Sequence, residues 1–245
     1  MNLVVDIGNS FLKWTLVENG PWRKGRSVRL QEDINALLNR IWGNIDPPQN
    51  VLVSNVSGRR VMTALGAWTA ANWGMKPHLF RSAERFQNIR NGYRVPEQLG
   101  CDRWAAIIGA RSLAEGDLCV VDCGTAVTID ALTRDDRFIG GVIFPGVALV
   151  RNSLLSGTSE ISEKQAGYKE VLGRTTAECV SGGSYFGVAG AVDRILSEMA
   201  SALDEPTPLI TGGGARFLLP FLDHSPRMEP DLVLIGLAQT LRSPG

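Results

Sequence analysis

One eight-residue pattern occurs twice in this chain, about half a chain apart. Leu3-Val4-Val5-Asp6-Ile7-Gly8-Asn9-Ser10 and Cys119-Val120-Val121-Asp122-Cys123-Gly124-Thr125-Ala126 share one order: an apolar, largely β-branched run, then Asp-x-Gly, then a small polar residue. Alternating apolar positions follow each copy, Leu12, Trp14 and Leu16 in the first and Val127, Ile129 and Ala131 in the second. Turn residues close each run, Glu18-Asn19-Gly20 and Arg134-Asp135-Asp136. Both copies therefore predict a strand, a tight glycine turn and a returning strand. The copies lie 116 residues apart in 245. A two-copy repeat of that period implies duplicated domains rather than a solenoid, and the length suits two domains of about 120 residues.

The segments between the copies alternate in period. Helical spacing covers 31–42 (Ile34, Leu37, Leu38, Ile41) and 59–73 (Val61, Leu65, Trp68), and a further helix is predicted over 102–114. Strands are predicted at 50–56 and 77–80, and an arginine-rich loop over 81–100. After the second hairpin come a strand at 140–142, a helix at 148–155, one long helix or two over 175–201, a strand at 209–211, and helices at 215–222 and 232–241. Hairpins followed by alternating strands and helices specify an α/β class, a mixed sheet flanked by helices in each half. The boundary is expected near Glu115-Gly116-Asp117, giving lobes of 1–115 and 116–245.

Composition narrows the class of function. Hydrophobic residues make up 44% and charged residues 20%, sufficient for an ordinary core. Lys plus Arg and Asp plus Glu number 25 each, which argues against a protein that coats nucleic acid or an anionic membrane. The opening Met1 to Asp6 has no basic region before its apolar run, and no stretch approaches the ~18 apolar residues of a membrane span. A cytoplasmic protein is expected. Cys119 and Cys123, in one predicted strand, would lie roughly 13 Å apart. All four cysteines are read as thiols, and no CxxC suggests zinc. His78 and His224 are the only histidines, and both read as structural or solvated.

The repeated turns carry candidate chemistry. Gly8 is expected to adopt φ > 0 and, lacking a Cβ, to let backbone N–H groups approach an anion. Asn9 and Ser10 add donors, and Lys13 on the returning strand can reach back to a phosphate. Asp6 at the strand end can hold Mg²⁺ through water. Gly124 and Thr125 form the matching turn, with Thr128 as a further hydroxyl and Asp122 able to hold a cation. Either turn alone could be a plain hairpin; two phosphate-facing hairpins across a cleft are what an ATP clamp requires. Thr211-Gly212-Gly213-Gly214 follows a short strand and opens a helix, permitting close approach of a flat ligand or an anion, or serving only as a flexible turn. No GxxxxGK[ST], GxGxxG or GxSxG motif occurs, which disfavours P-loop kinases, dinucleotide enzymes and α/β-hydrolases.

The paired Asp-x-Gly hairpins and the late glycine-rich turn resemble the actin, hexokinase and Hsp70 superfamily, with its ribonuclease H-like lobes and a nucleotide cleft between them. Four motifs, in order along the chain, resemble type III pantothenate kinase more closely: 6–10 (DIGNS), Pro96-Glu97-Gln98-Leu99-Gly100-Cys101-Asp102-Arg103, 122–128 (DCGTAVT) and 140–146 (GGVIFPG). The Pro-x-x-Leu-Gly-x-Asp-Arg segment is the most specific. The resemblance implies ATP-dependent phosphorylation of pantothenate in coenzyme A biosynthesis, a homodimer, and dependence on K⁺ or NH₄⁺. Carried over by position, Asp6 to Lys13 form the first phosphate loop and Asp102 is the proton acceptor. Tyr93, Gly100, Cys101, Asp102, Arg103 and Thr176 contact pantothenate. Asp122 binds the monovalent cation, and Thr125, with Gly124, Gly212 and Gly213, meets ATP.

The residues agree with these roles. A helix beginning at Asp102 should keep its carboxylate ionised through the N-terminal dipole, and Arg103 could grip a carboxylate. Without the resemblance, Asp102-Arg103 would read as an N-cap followed by a surface arginine, and Tyr93 as a packed aromatic. Ser10 stands where the family usually has Thr, and Val150 where Met is common. The alternatives are another small-molecule kinase of the superfamily and a nucleotide-binding accessory factor for transcription. The 93–103 segment separates the first from pantothenate phosphorylation, and the intact Asp6, Lys13, Asp102 and Asp122 weigh against the second.

Overall fold

The computed structural model describes residues 1–18, 22–30, 33–157 and 170–242. It divides into two compact units, Met1–Leu113 with Asp231–Gly245, and Ala114–Pro230. In chain order the first unit contains β1 (Asn2–Ile7), β2 (Phe11–Val17), β3 (Arg26–Arg29), α1 (Ile34–Trp42), β4 (Val51–Asn55), α2 (Arg59–Trp73), β5 (His78–Leu79), the hairpin β6 (Arg85–Phe86) and β7 (Ile89–Asn91), and α3 (Cys101–Leu113). The second contains β8 (Leu118–Cys123), β9 (Ala126–Leu132), β10 (Arg137–Pro145), α4 (Val147–Gly157), α5 (Thr176–Ala200), β11 (Thr207–Thr211), α6 (Ala215–Leu218) and β12 (Arg227–Met228). The last helix, α7 (Leu232–Arg242), is grouped with the first unit.

The duplication read in the sequence is present in the sheets. Strands of the first unit lie in the order β3-β2-β1-β4-β5, and those of the second in the order β10-β9-β8-β11-β12. Each of these five strands has a counterpart at the same place in the other unit, while the β6–β7 hairpin has none. β1 is antiparallel to β2 and parallel to β4, as β8 is antiparallel to β9 and parallel to β11. The outer pairs repeat the same directions. β1 and β8 are central, so their apolar runs are buried on both faces: Leu3, Val4, Val5 and Ile7 in one, and Leu118, Cys119, Val120 and Val121 in the other. A continuous β-branched run, rather than strict alternation, is the signature of such a position.

Helix boundaries have local causes. The Asp33 side chain accepts the Ala36 N–H at 2.9 Å and starts α1. Gly74, at φ +67°, closes α2 in a left-handed cap. Thr175 accepts the Glu178 N–H and starts α5 as one uninterrupted helix. Val61, Leu65 and Trp68, the predicted apolar face of α2, are all buried. Trp42 lies at the centre of an aromatic cluster, with ring centroids 6.0 Å from Trp14, 5.9 Å from Trp68 and 5.7 Å from Trp73. In the second unit Val121, Ile129, Val188, Val192, Leu196 and Ile210 form one core. Cys119 and Cys123 join that core, and burial pushes both thiols up to about 12.

Some elements depart from the expectations. The 81–100 loop contains the β6–β7 hairpin and a 3₁₀ turn at Pro96–Gln98. The predicted 140–142 strand extends over Arg137–Pro145, with a bulge between Phe138 and Gly140 where Gly140 takes φ +126°. β3 and β12 are short strands that the pattern did not indicate; β12 has only two residues and little periodicity to show. The predicted 215–222 helix breaks into α6 and a 3₁₀ turn at Pro220.

Helix α7 packs against α3, and glycines permit it. A Cβ at Gly236 would overlap the Ala105 carbonyl oxygen, and one at Gly109 the Leu232 carbonyl oxygen. The backbones therefore touch, leaving no room for a methyl group. Gly236→Ala is expected to lower unfolding free energy by about 1–3 kcal/mol. Gly66→Ala, in open space within α2, should raise it by about 0.5–1 kcal/mol through helix propensity. Urea denaturation of the two variants checks both signs.

Candidate active site

The first unit gathers several of the expected groups around the carboxyl ends of β1 and β4. Asp6, at the end of β1, lies opposite Lys13 across the antiparallel pair and beside Ser54 across the parallel pair. Directly opposed residues have Cβ atoms about 5 Å apart, so Lys13 shares the face of Asp6, as its sequence position suggested. The Ser54 hydroxyl lies 3.5 Å from the Cys101 thiol, and that thiol also points to the Asn55 carbonyl at 3.7 Å. Burial raises the Cys101 pKa, the contacts with Ser54 and Asn55 lower it, and the charges of Asp102 and Asp6 raise it. One thiol thus senses both carboxylates. The β1–β4 register and the thiol contact thus place Cys101, the residue before Asp102, near Asp6 at the strand end.

Asp102 differs from expectation in its electrostatics. The helix position suggested a carboxylate held readily ionised; instead, burial pushes its pKa up, and the Arg103 backbone N–H and guanidinium charge draw it only part of the way back. Desolvation outweighs the helix terminus here because α3 starts against β4 rather than in solvent. The raised basicity suits a group that takes a proton during reaction. Arg103 is 5% exposed, which excludes the surface-arginine reading. It donates from Nη1 to the Tyr93 hydroxyl at 2.7 Å. A Cβ at Gly100 would lie 2.6 Å from an Asp102 carboxylate oxygen, so any larger residue there would displace that carboxylate. The Cys101 side chain itself is turned to β4, where it fixes the start of α3.

The turns behave differently from one another. Gly8 does not take a positive φ, and a Cβ there would meet only the Phe11 carbonyl at 3.6 Å. The expected left-handed turn is therefore absent, and two exposed residues, Asn9 and Ser10, form the bend closed by the Gly8 N–H to the Phe11 carbonyl at 3.0 Å. The Gly124–Thr125 turn is one residue shorter, closed by the Gly124 N–H to the Ala126 carbonyl at 3.0 Å, again without positive φ at Gly124.

In the second unit the steric demand falls on other glycines. Gly212 has φ +93°, and a Cβ there would strike an Asp122 carboxylate oxygen and lie 2.6 Å from the Cys123 backbone. Gly214 donates to the Cys123 carbonyl at 2.8 Å, and Gly146 to the Thr125 carbonyl at 3.0 Å. Asp122 sits opposite Thr128 and beside Thr211, as Asp6 sits opposite Lys13 and beside Ser54. Gly213 stands in open space. Thr175 uses its hydroxyl to cap α5, and the neighbouring Thr176 is exposed. His224 is held by Asp193, with Nδ1 at 2.9 Å from Oδ1, and His78 is exposed on β5.

The sequence profile of the type III pantothenate kinases matches residues 2–198. The chain belongs to the type III pantothenate kinase family. The type III pantothenate kinase of Nitrosococcus oceani is 35% identical, covering 99% of this chain and 94% of the relative. That of Halorhodospira halophila is 38% identical, covering 97% and 96%. Among solved structures, a Campylobacter jejuni protein assigned to the Baf family of transcriptional activators superposes with a TM-score of 0.61 at 20% identity, covering 98% of this chain and 97% of its own. The activator of the 2-hydroxyisocaproyl-CoA dehydratase from Clostridium difficile, with bound ADPNP, gives 0.56 at 10% identity, covering 100% and 98%. These likenesses carry the fold, the actin-like architecture anticipated from the paired hairpins.

A kinase of this family uses ATP with a divalent metal. Among the described residues no group of three or more His, Cys, Asp or Glu side chains could cage an ion. A single carboxylate such as Asp6 fits what Mg²⁺ asks of a protein, since that ion takes one or two carboxylates and keeps its waters. Sequence reasoning missed Ser54 and Asn55. They end an otherwise apolar strand; the β1–β4 register sets Ser54 beside Asp6, and Asn55 meets the Cys101 thiol through its backbone carbonyl.

The raised pKa of Asp102 has a consequence for stability. An acid whose folded pKa exceeds its unfolded value, near 3.8, contributes stability below that value and loses it as pH rises through the folded pKa. At neutral pH ionised Asp102 therefore weakens the fold. Asp102→Asn is expected to melt higher than the parent at pH 7.5, by about 2–4 °C per kcal/mol recovered. The gain should vanish towards pH 3.5. Calorimetry at the two pH values checks the sign.

Proposed function

We infer that this chain transfers the γ-phosphoryl group of ATP to the primary hydroxyl of pantothenate, giving 4′-phosphopantothenate, the first step of coenzyme A synthesis. The observation that carries the reading is the seating of Cys101, next to Asp102 at the start of α3, against Ser54 beside Asp6. It supports a reading in which Asp102 is the proton acceptor and Asp6 belongs to the phosphate loop. Full-length similarity to pantothenate kinases names the acceptor.

In the proposed reaction the pantothenate hydroxyl oxygen bonds to the γ-phosphorus, the bond from that phosphorus to the β–γ bridging oxygen breaks, and ADP leaves. Asp102 accepts the hydroxyl proton. Such transfers depend on positioning and charge neutralisation, so the remaining residues act by holding. Arg103 and Tyr93 hold the pantothenate carboxylate and amide region, with Gly100 leaving the space that Asp102 needs and Thr176 adding a hydroxyl. Gly8, Asn9, Ser10 and Lys13, together with Gly124, Thr125, Gly212 and Gly213, bind the nucleotide. Mg²⁺, held by Asp6 through water, would neutralise phosphate charge. Asp122 would hold K⁺ or NH₄⁺; what supports this is the close approach of the Gly212 backbone to the Asp122 carboxylate, which a Cβ would prevent.

We also propose a homodimer. Exposed apolar side chains are prominent in the second unit, with Ile143 61% exposed on β10, Leu149 43% on α4, and Val171 68% and Leu172 79% ahead of α5. A second copy would cover them. Sedimentation should give twice the chain mass, and Ile143→Asp should shift it towards a monomer.

The function is tested with ATP, Mg²⁺ and a panel of acceptors. Pantothenate is expected to be phosphorylated, with Na⁺ in place of K⁺ giving markedly slower turnover. Transfer to sugars or acetate but not pantothenate would name another kinase, and ATP binding without transfer to any alcohol would favour an accessory factor. Asp102→Asn should lower kcat by roughly 10²-fold or more while ATP binding is retained.

A further inference from the structure

Between α2 and α3 the chain runs through short strands and turns, and two buried polar side chains hold it. Asn91 is 9% exposed and Ser82 5%. The Asn91 amide uses both donors and its oxygen: Nδ2 donates to the Ala83 carbonyl at 3.1 Å and the Pro96 carbonyl at 3.2 Å, and Oδ1 accepts the Tyr93 N–H at 3.0 Å. Its own backbone N–H donates to the Glu84 carbonyl at 2.9 Å. Ser82 donates to the Leu99 carbonyl at 2.8 Å, immediately before Gly100. One amide thus joins the start of the segment, its end and the backbone of Tyr93.

The connection continues to the reacting groups. Tyr93 accepts a hydrogen bond from the Arg103 guanidinium on its phenol oxygen at 2.7 Å. Arg103 adjoins Asp102 and lowers its pKa. Only a side chain with two donors and one acceptor in a plane can satisfy two carbonyls and an N–H at once. Alanine satisfies none of them, and aspartate sets a carboxylate against two carbonyl oxygens.

We propose that Asn91 is a positioning residue for the pantothenate acceptor, acting through Tyr93 and Arg103. This rests on the functional reading given above. Its loss lets Tyr93 drift, frees the Arg103 guanidinium, and misplaces the carboxylate-binding end of the acceptor relative to Asp102. The phosphate loops do not depend on it, so ATP recognition is untouched.

The experiment compares Asn91→Ala, Asn91→Asp, Tyr93→Phe and the double variant Asn91→Ala/Tyr93→Phe with the parent, measuring KM for pantothenate, KM for ATP and kcat. Asn91→Ala should raise the pantothenate KM roughly tenfold, the scale of a lost buried hydrogen bond, with the ATP KM within twofold. The double variant should be no worse than the poorer single one, because both changes break one path. Asn91→Asp is nearly isosteric and keeps the test open if the alanine variant does not fold. Its pantothenate KM should improve as pH falls, when the protonated acid regains a donor. An unchanged pantothenate KM, a parallel rise in both KM values, or additive losses in the double variant would overturn the proposal. A parent enzyme that ignores pantothenate would instead remove the functional reading itself.

Discussion

The contact between the Ser54 hydroxyl and the Cys101 thiol joins two parts of the chain that differ in kind, the end of a parallel strand and the first turn of a helix. Everything proposed for the first unit depends on that seating. The neighbouring Asp102 carboxyl is desolvated, and that desolvation raises its pKa above that of a solvated aspartate. The contact also holds the Cys101 thiol within electrostatic reach of Asp6 as well as of its sequence neighbour Asp102. Moving α3 by one turn, about 5.4 Å, would take Cys101 away from Ser54 and Asp102 out of the surroundings that raise its pKa. Catalytic power in such a site comes from where the groups are held rather than from unusual side chains.

The two units repeat one frame and diverge in what they hang on it. In each, an aspartate ends a central strand between an antiparallel neighbour and a parallel one. The neighbours are Lys13 and Ser54 in the first unit, and Thr128 and Thr211 in the second. A lysine opposite an aspartate suits charged phosphate, whereas two threonines leave the carboxylate as the dominant charge beside a glycine with positive φ. The two aspartates therefore stand in different surroundings on one frame, with a lysine and a serine as neighbours in the first unit and two threonines and a positive-φ glycine in the second.

Much of the frame was legible because it is local. Apolar runs, Asp-x-Gly turns and helical spacing mark β1, β2, β8, β9 and α2 directly, and α2 spans Arg59–Trp73 as its pattern indicates. The features that sequence did not reveal are those set by distant contacts. Gly236 and Gly109 look like ordinary helix-weakening glycines until α7 lies across α3. Asp102 reads as a helix-terminal carboxylate, ionised by the dipole, until β4 removes its solvent. Gly8 reads as a left-handed turn, whereas the observed bend needs none, and the positive φ belongs to Gly212. Asn91 gives no periodic signal, since its importance lies in three hydrogen bonds to backbone. Turn chemistry and registers between non-adjacent strands decide these points.

The aromatic cluster of the first unit has an optical consequence. All six tryptophans of the chain lie at or before residue 104, and four of them, Trp14, Trp42, Trp68 and Trp73, lie within energy-transfer distance of one another. The 114–230 unit contains none. Indole emission is therefore a reporter of one half of the duplicated fold, and tyrosine or an introduced label must report on the other. Comparing the two signals during denaturation separates the unit that carries Asp102 from the unit that carries Asp122, in a protein whose halves share one backbone plan.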